Sequence, residues 1–290
     1  MTATAEKFQV IEPGVYDIPA DLYHADPVPG GSLSSSGARR LLKTCPARFK
    51  YEQDHPAPPT DAMELGTAAH REVLGVGADI EEIKAKDWRT TRAKDEAAIA
   101  REAGKVPLLT RDAERVRAMA AALREHEIAA TLLNPAYGKP EQAIFWQDAP
   151  TKIWRRALLD LLPDVEPGGR MYLADYKTAQ SADLEAISKA IETYGYNAQG
   201  AWYDDAVRAL GLADDVAFFL VVQETVAPFL VSVVQLDQLA LEAGRHDNRK
   251  AIELYARCRK TNTWPPYVEG VAPVGLPGWA ENKFLKETTS

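Results

Sequence analysis

Asp160 closes the apolar run ALLD, and the next apolar run ends in Asp175-Tyr176-Lys177, with a polar turn carrying Gly168-Gly169 between them. Side chains alternate faces along a strand, so Asp175 and Lys177 at i and i+2 point the same way while Asp160 arrives from the neighbouring strand. Two carboxylates placed like this can hold a divalent cation with an ammonium beside it. The carbonyl of Tyr176 could add a third oxygen. Phosphodiester hydrolysis at neutral pH needs a hydroxide, neutralised charge on the phosphate and help for the leaving oxygen, and carboxylate-bound Mg²⁺ supplies part of each. Lys177 would orient or deprotonate the attacking water. His70 could complete the shell through an imidazole nitrogen, which would make Mn²⁺ an acceptable substitute.

The tripeptide by itself does not select this segment. Acid-x-Lys also occurs at Glu82-Ile83-Lys84 and Glu281-Asn282-Lys283. Glu82 lies in the charged stretch DIEEIKAKDW and Glu281 in the tail, whereas Asp175 alone follows a short apolar run, MYLA. Strand context therefore favours Asp175 and Lys177.

Composition narrows the setting. The 290 residues carry 46% hydrophobic and 26% charged side chains, as an ordinary globular protein does. No apolar run approaches the ~18 residues of a membrane span, and MTATAEKFQV lacks a signal-peptide core, so a cytoplasmic protein is expected. Cys45 and Cys258 are the only cysteines; they exclude a disulfide framework and any iron–sulfur cluster or zinc site needing four thiolates from one chain. A net charge of −8 opposes nucleic-acid binding over the whole surface. Any such binding must use local basic patches, and three clusters stand out: Arg39 to Lys50, Arg155-Arg156, and Arg245 to Lys260.

The elements that must position these residues are legible from period and punctuation. Ser34-Ser35-Ser36 precedes GARRLLKTCPARFKYEQ, a capped helix interrupted at Cys45-Pro46. DAMELGTAAHREVLG places Leu65, Ala69, Val73 and Leu74 at helical spacing with His70 among them. Residues 80 to 132, charged and alanine-rich, read as two helices with a break near Gly104 to Pro107. EQAIFWQ, TKIWRRALLDLL and MYLADYKT then read as strands. SADLEAISKAIETYG and YNAQGAWYDDAVRALG are helical, the second bringing Gln199 and Tyr203 one turn apart on one face. VAFFLVVQE and FLVSVVQL are further strands, and LDQLALEAGRHDNRKAIELYARCRK a final helix. The expected fold class is α/β: one domain over 1–290, a central mixed sheet flanked by helices, with 76–135 as a helical insertion.

Taken together and in order, GVYDIPADLYH, SLSSSGARRLL, LGTAAHREVL, EQAIFW, WRRALLDLL, LADYKTAQSAD, YNAQGAWYDDAV and the ending TWPPYVEGVAPVGLPGWA resemble the RecE-type exonucleases of phages and prophages, within the PD-(D/E)xK nuclease superfamily that includes the RecB nuclease domain. The resemblance implies a restriction-endonuclease-like core and a Mg²⁺-dependent exonuclease that degrades double-stranded DNA ends 5′ to 3′. The 3′ single strands it leaves would pass to a single-strand annealing recombinase. It further implies that His70, Asp160, Asp175 and Lys177 form the metal site, with Gln199 and Tyr203 of the Q-x-x-x-Y helix beside it and Glu141 in support. Ser34, Ser36 and Arg39 match a motif where a helix N-terminus could receive a DNA phosphate, with simple helix capping as the alternative. Arg156 could contact phosphate from the strand before Asp160. An acidic chain that works processively on DNA is expected to form a homo-oligomeric ring with its basic patches turned inward.

Two departures from the family pattern bear on substrate grip. Relatives often carry proline or a basic residue just before the first catalytic acid, where this chain has Leu158-Leu159, and the turn from Asp160 to Asp175 is longer. A catalytically inactive or structure-specific DNA-binding protein of the same fold would be expected to have lost a ligand; here His70, Asp160, Asp175 and Lys177 are all present. Endonuclease action remains the other alternative.

Overall fold

A computed structural model describes residues 8–165 and 168–288. In chain order it forms β1 (Gly14–Tyr16), α1 (Ala20–His24), β2 (Leu33–Ser34), α2 (Ser35–Lys43), α3 (Pro46–Asp54), α4 (Asp61–Leu74), β3 (Ile80–Ile83), α5 (Thr91–Glu102), β4 (Val106–Leu109), α6 (Thr110–Arg124) and α7 (Glu127–Leu132). There follow β5 (Gly138–Gln147), β6 (Trp154–Pro163), β7 (Arg170–Ala179), α8 (Leu184–Tyr194), α9 (Tyr196–Ala209), β8 (Asp215–Glu224), β9 (Val231–Gln235), α10 (Gln238–Thr261) and α11 (Gly278–Thr288). Residues 166–167, in the turn expected to be long, lie outside the described residues. Among those described, no helix is long and apolar enough to cross a membrane.

The central mixed sheet comes in two hydrogen-bonded pieces, β1-β5-β6-β2 and β7-β8-β9, lying side by side with β6 next to β7. β5 and β6 run antiparallel over their whole length, while β7 and β8 run parallel from Arg170 to Ala179. Along β7 the alternation is clean. Met171 and Leu173 enter a core shared with Trp202 of α9 and Ile252 of α10; Ala174 and Tyr176 enter a second core shared with Ala69 of α4 and Met119 of α6. Helices thus cover both faces, which is why β7 and β8 read as nearly continuous apolar runs rather than strict alternations.

Local signals place the helices. Ser34 caps α2 by accepting the Gly37 N–H at 3.1 Å, Thr60 caps α4, and Gly75 ends α4 in the left-handed region at φ 77°, where glycine carries no Cβ penalty. Pro46 opens α3 at a position with no helical hydrogen bond to lose. The insertion corrects the expectation for 76–135. It is not purely helical: β3 and β4 pair in parallel, Ile80 with Val106 through Ile83 with Leu109. All four residues of β4, VPLL, are buried, so burial decides their state where the charged, helix-favouring neighbours would not.

Candidate metal and nucleic-acid site

The seam between β6 and β7 is where the chemistry collects. Backbone groups at such a seam need partners that a ladder would otherwise provide. At Tyr176 side chains take that role: its N–H donates to Asp160 Oδ2 at 2.7 Å, and its carbonyl accepts from His70 Nε2 at 2.9 Å. Asp160 comes from β6 and His70 crosses from α4, so three elements meet at one residue. His70 Nδ1 lies 3.6 Å from Asp160 Oδ2.

Asp175 and Lys177 project together from β7, as their spacing predicts. Lys177 Nζ pairs with Asp175 Oδ2, and Asp175 Oδ1 accepts from Gln199 Nε2 at 2.7 Å. Asp175 is only 1% exposed, so its charge depends on these partners. Gln199 Nε2 also reaches Tyr203 Oη at 3.0 Å, and that hydroxyl donates to the Leu158 carbonyl at 2.8 Å. Trp202 Nε1 donates to the Arg156 carbonyl at 3.0 Å. Helix α9 therefore spans the seam, bonded to β6 through Trp202 and Tyr203 and to β7 through Gln199.

Burial sets the electrostatics. It pushes the Asp160 carboxyl up to about 6, with Asp175 adding to the rise and His70, Lys177 and the Tyr176 N–H opposing it. For Lys177 burial favours the neutral amine, but attraction to Asp175 and Asp160 outweighs it, and the ammonium is held above its ordinary value. Tyr203 is raised well above the phenol range by burial and then by Asp175 and Asp160, so it keeps its proton. Lys177 is accordingly a fixed cation here, suited to orienting water or phosphate rather than to accepting a proton.

Glu141 stands across from Asp160 in the β5–β6 register, between the pairs Pro140–Leu161 and Gln142–Leu159. Its φ of 48° is a left-handed conformation that side chains rarely adopt. Its carboxylate lies against Gly77, where a Cβ would come within 3.1 Å of Oε1. Burial raises its pKa, with His70 and Arg71 pulling the other way. It borders the site without touching Asp175 or Lys177.

The sequence-predicted DNA contacts divide. Ser34 Oγ is the α2 cap, with the exposed Ser36 hydroxyl 3.2 Å away. Arg39 donates to the Tyr194 carbonyl at 2.9 Å and lies 3.5 Å from Gly195 O and Gln199 Oε1, so it holds the α8–α9 turn. Arg156 departs from expectation: its guanidinium is buried, 2.5 Å from Asp26 Oδ2 and 2.7 Å from Ser32 Oγ, and stands over the Tyr23 ring. Those partners hold the guanidinium inside the fold, with its Nε left without a hydrogen bond.

One neighbour escaped the sequence reading. The Tyr196 ring lies 5.3 Å from Lys177 Nζ. Its signal was present, since Tyr196, Gln199 and Tyr203 at i, i+3 and i+7 share one helix face. A cleft of about 850 Å³ opens beside it, reached by Lys177, Tyr194, Tyr196, Trp88, Arg111 and Lys189.

A cation fits this donor set on two grounds. Asp175 Oδ2 is buried with an ion contact but no hydrogen bond of good geometry, and two carboxylates with a carbonyl form a hard, oxygen-rich set to which His70 adds nitrogen. Among the described residues, no three His, Cys, Asp or Glu side chains stand at ligating spacing. The Tyr176 carbonyl would therefore be needed as a ligand.

The sequence profile of a PDDEXK-like domain of unknown function, DUF3799, matches residues 34–274. The chain belongs to that family. The matched span takes in all the candidate site residues, from Ser34 to Tyr203. The fold is similar to that of a solved Eubacterium rectale protein described as a "putative exonuclease", at 12% identity, a TM-score of 0.63, and coverage of 90% of this chain and 97% of that one. At that identity the likeness speaks for the fold. No curated protein matches the PDDEXK-like chain at a significant level.

Proposed function

We propose that this PDDEXK-like protein is a metal-dependent deoxyribonuclease acting on the ends of linear duplex DNA. The observation that carries the reading is the gathering of Asp160, Asp175 and Lys177 at the β6–β7 seam, with the Tyr176 backbone held by Asp160 and His70. Mg²⁺, with Mn²⁺ as a substitute, would be held by Asp160, Asp175, the Tyr176 carbonyl and His70. When bound, it would supply charge neutralisation and a more acidic water.

The chain's own residues do the rest. Lys177, kept protonated by Asp175 and Asp160, places a cation where the scissile phosphate enters. Gln199 and Tyr203 fix the Asp175 carboxylate so that it does not reorganise during the reaction. Arg39 holds the turn that opens α9, the helix carrying Gln199.

Degradation is expected to run 5′ to 3′ and to leave 3′ single strands for a single-strand annealing recombinase, as the RecE-type resemblance implies. A homo-oligomeric ring would offset the net charge of −8 by turning basic patches toward the DNA. The test is a digestion time course with Mg²⁺ on linear, nicked and closed circular DNA. Loss of the linear form alone supports an end-dependent exonuclease, cleavage of the closed circle favours an endonuclease, and survival of all three sinks the nuclease reading.

A further inference from the structure

The cleft beside Lys177 differs in chemistry from the metal site, because aromatic rings and cations are among its lining residues. Tyr194 ends α8 and Tyr196 opens α9, on either side of Gly195. Their ring centroids are 5.6 Å apart with planes 33° from one another. Lys43 Nζ stands 6.0 Å from the Tyr194 ring and Lys177 Nζ 5.3 Å from the Tyr196 ring. Tyr194 is 57% exposed. Across the α8–α9 turn the order is therefore ammonium, ring, ring, ammonium, with Lys177 paired to Asp175.

The turn that presents the rings is held in place. Gly195 takes φ 66°, and a Cβ there would come within 2.9 Å of Arg39 Cδ, so Arg39 lies directly over the glycine while donating to the Tyr194 carbonyl. Lys43 donates to the Thr193 carbonyl. Two cations of α2 thus fix the backbone on which the rings sit, and the rings face the cleft.

The acids of the cleft are largely answered from within. Glu64 is held by Arg101 at 2.6 and 3.0 Å, and Asp112 by Arg115; Asp61 is exposed. Trp88 and Arg111 also line the cleft, with Arg111 3.7 Å from Asp112. A volume of about 850 Å³ is of small-ligand size.

Resting on the nuclease reading, we propose that Tyr194 and Tyr196 form a nucleobase-stacking platform that receives unpaired nucleotides of the strand being cut, with Lys43 and Lys177 at its two ends meeting phosphates. Every base has a π-face, so such a platform is tolerant of sequence and contributes about 1–3 kcal/mol per stacked base. The recognition element is then the exposed base, not the paired duplex.

The experiment measures anisotropy of a fluorescein-labelled oligothymidylate of about ten nucleotides, and of an abasic oligomer of equal length and charge, with the full chain in EDTA so that nothing is cut. The wild type is expected to bind the base-bearing strand roughly tenfold more tightly than the abasic one. Tyr194→Ala should erase that preference and Tyr194→Phe retain it. Equal affinity of the wild type for the two oligomers, or a preference undiminished in Tyr194→Ala, overturns the proposal. Because binding is read without metal, absence of Mg²⁺-dependent cleavage alongside an intact base preference would overturn the nuclease reading alone.

Discussion

The Asp160 carboxylate accepts the backbone N–H of Tyr176 at 2.7 Å, so the first acid of the site is held by the strand that carries the second. The position of one acid thereby fixes that of the other, although β6 and β7 belong to separate hydrogen-bonded pieces of the sheet.

Removing Asp175 should separate chemistry from folding. Asp175→Asn preserves shape and can still accept from Gln199, but withdraws a ligand charge and the counter-ion of Lys177. Digestion of linear duplex DNA should fall to background while the circular dichroism spectrum stays unchanged. Lys177→Ala should have the same effect on digestion. Full activity in Asp175→Asn would exclude Asp175 from the site.

Gln199 acts through Asp175, so its loss should weaken metal use rather than abolish it. Gln199→Ala frees Asp175 Oδ1 and removes the link to Tyr203. A loss of roughly 10–100-fold in activity or metal affinity is expected, read as a rightward shift of the Mg²⁺ activation curve. An unshifted curve would mean that Asp175 holds its orientation without the amide.

Metal dependence should steepen with pH. Asp160 titrates at about 6 in the fold against an ordinary 3.8, so the metal-free native state binds its proton more tightly than the unfolded chain does. The resulting stability is full below about 3.8 and is lost as pH rises through about 6. Protons compete with the cation for the same oxygens, so the rise in Tm on adding Mg²⁺ should be small at pH 5 and large at pH 8. Asp160→Asn should remove this pH dependence, and an equal Tm gain at both pH values in the wild type would contradict the assignment.

Arg156 is predicted to stabilise the fold and not to grip DNA. Arg156→Met strands Asp26 near the buried Ser32, and losing one partner of a buried pair costs about 3 kcal/mol. Tm should drop, while the salt dependence of DNA binding by the folded variant should match the wild type. A shallower salt slope at unchanged Tm would restore the phosphate role.

The packing of α9 on α10 should be intolerant at Gly244, where a Cβ would collide with the Asn197 carbonyl. Gly244→Ala is expected to cost about 2 kcal/mol and to lower activity, since displacing α9 moves Gln199 and Tyr203. A Tm within a degree of the wild type would show that the helices can part without strain.

Local rules suffice where a spacing is also a geometry. The two-residue period places Asp175 and Lys177 on one face of β7, and the four-residue step places Gln199 above Tyr203 on α9, whatever else the chain does. The same rules mark the Ser34 cap, the break at Pro46 and the end of α4 at Gly75. They fail where burial overrides propensity, as in VPLL of β4, which charged and helix-favouring neighbours disguise. They also fail wherever a partner is remote in sequence. Arg156 looked like a phosphate contact because Asp26 and Ser32 are far along the chain, and Arg39 looked the same because its acceptors lie on the α8–α9 turn.

The sequence by itself thus determined the elements with a clear period, the acid-x-Lys strand and the presence of four side chains whose chemistry suits a cation site. Only the tertiary structure decided that β6 and β7 leave Tyr176 for side chains to satisfy, so that Asp160 and His70 enter from different layers to take its N–H and carbonyl. The physical reason is one of range. Periodicity fixes directions within an element, whereas the meeting of elements depends on which buried polar groups find partners, and that is settled between residues a hundred positions apart.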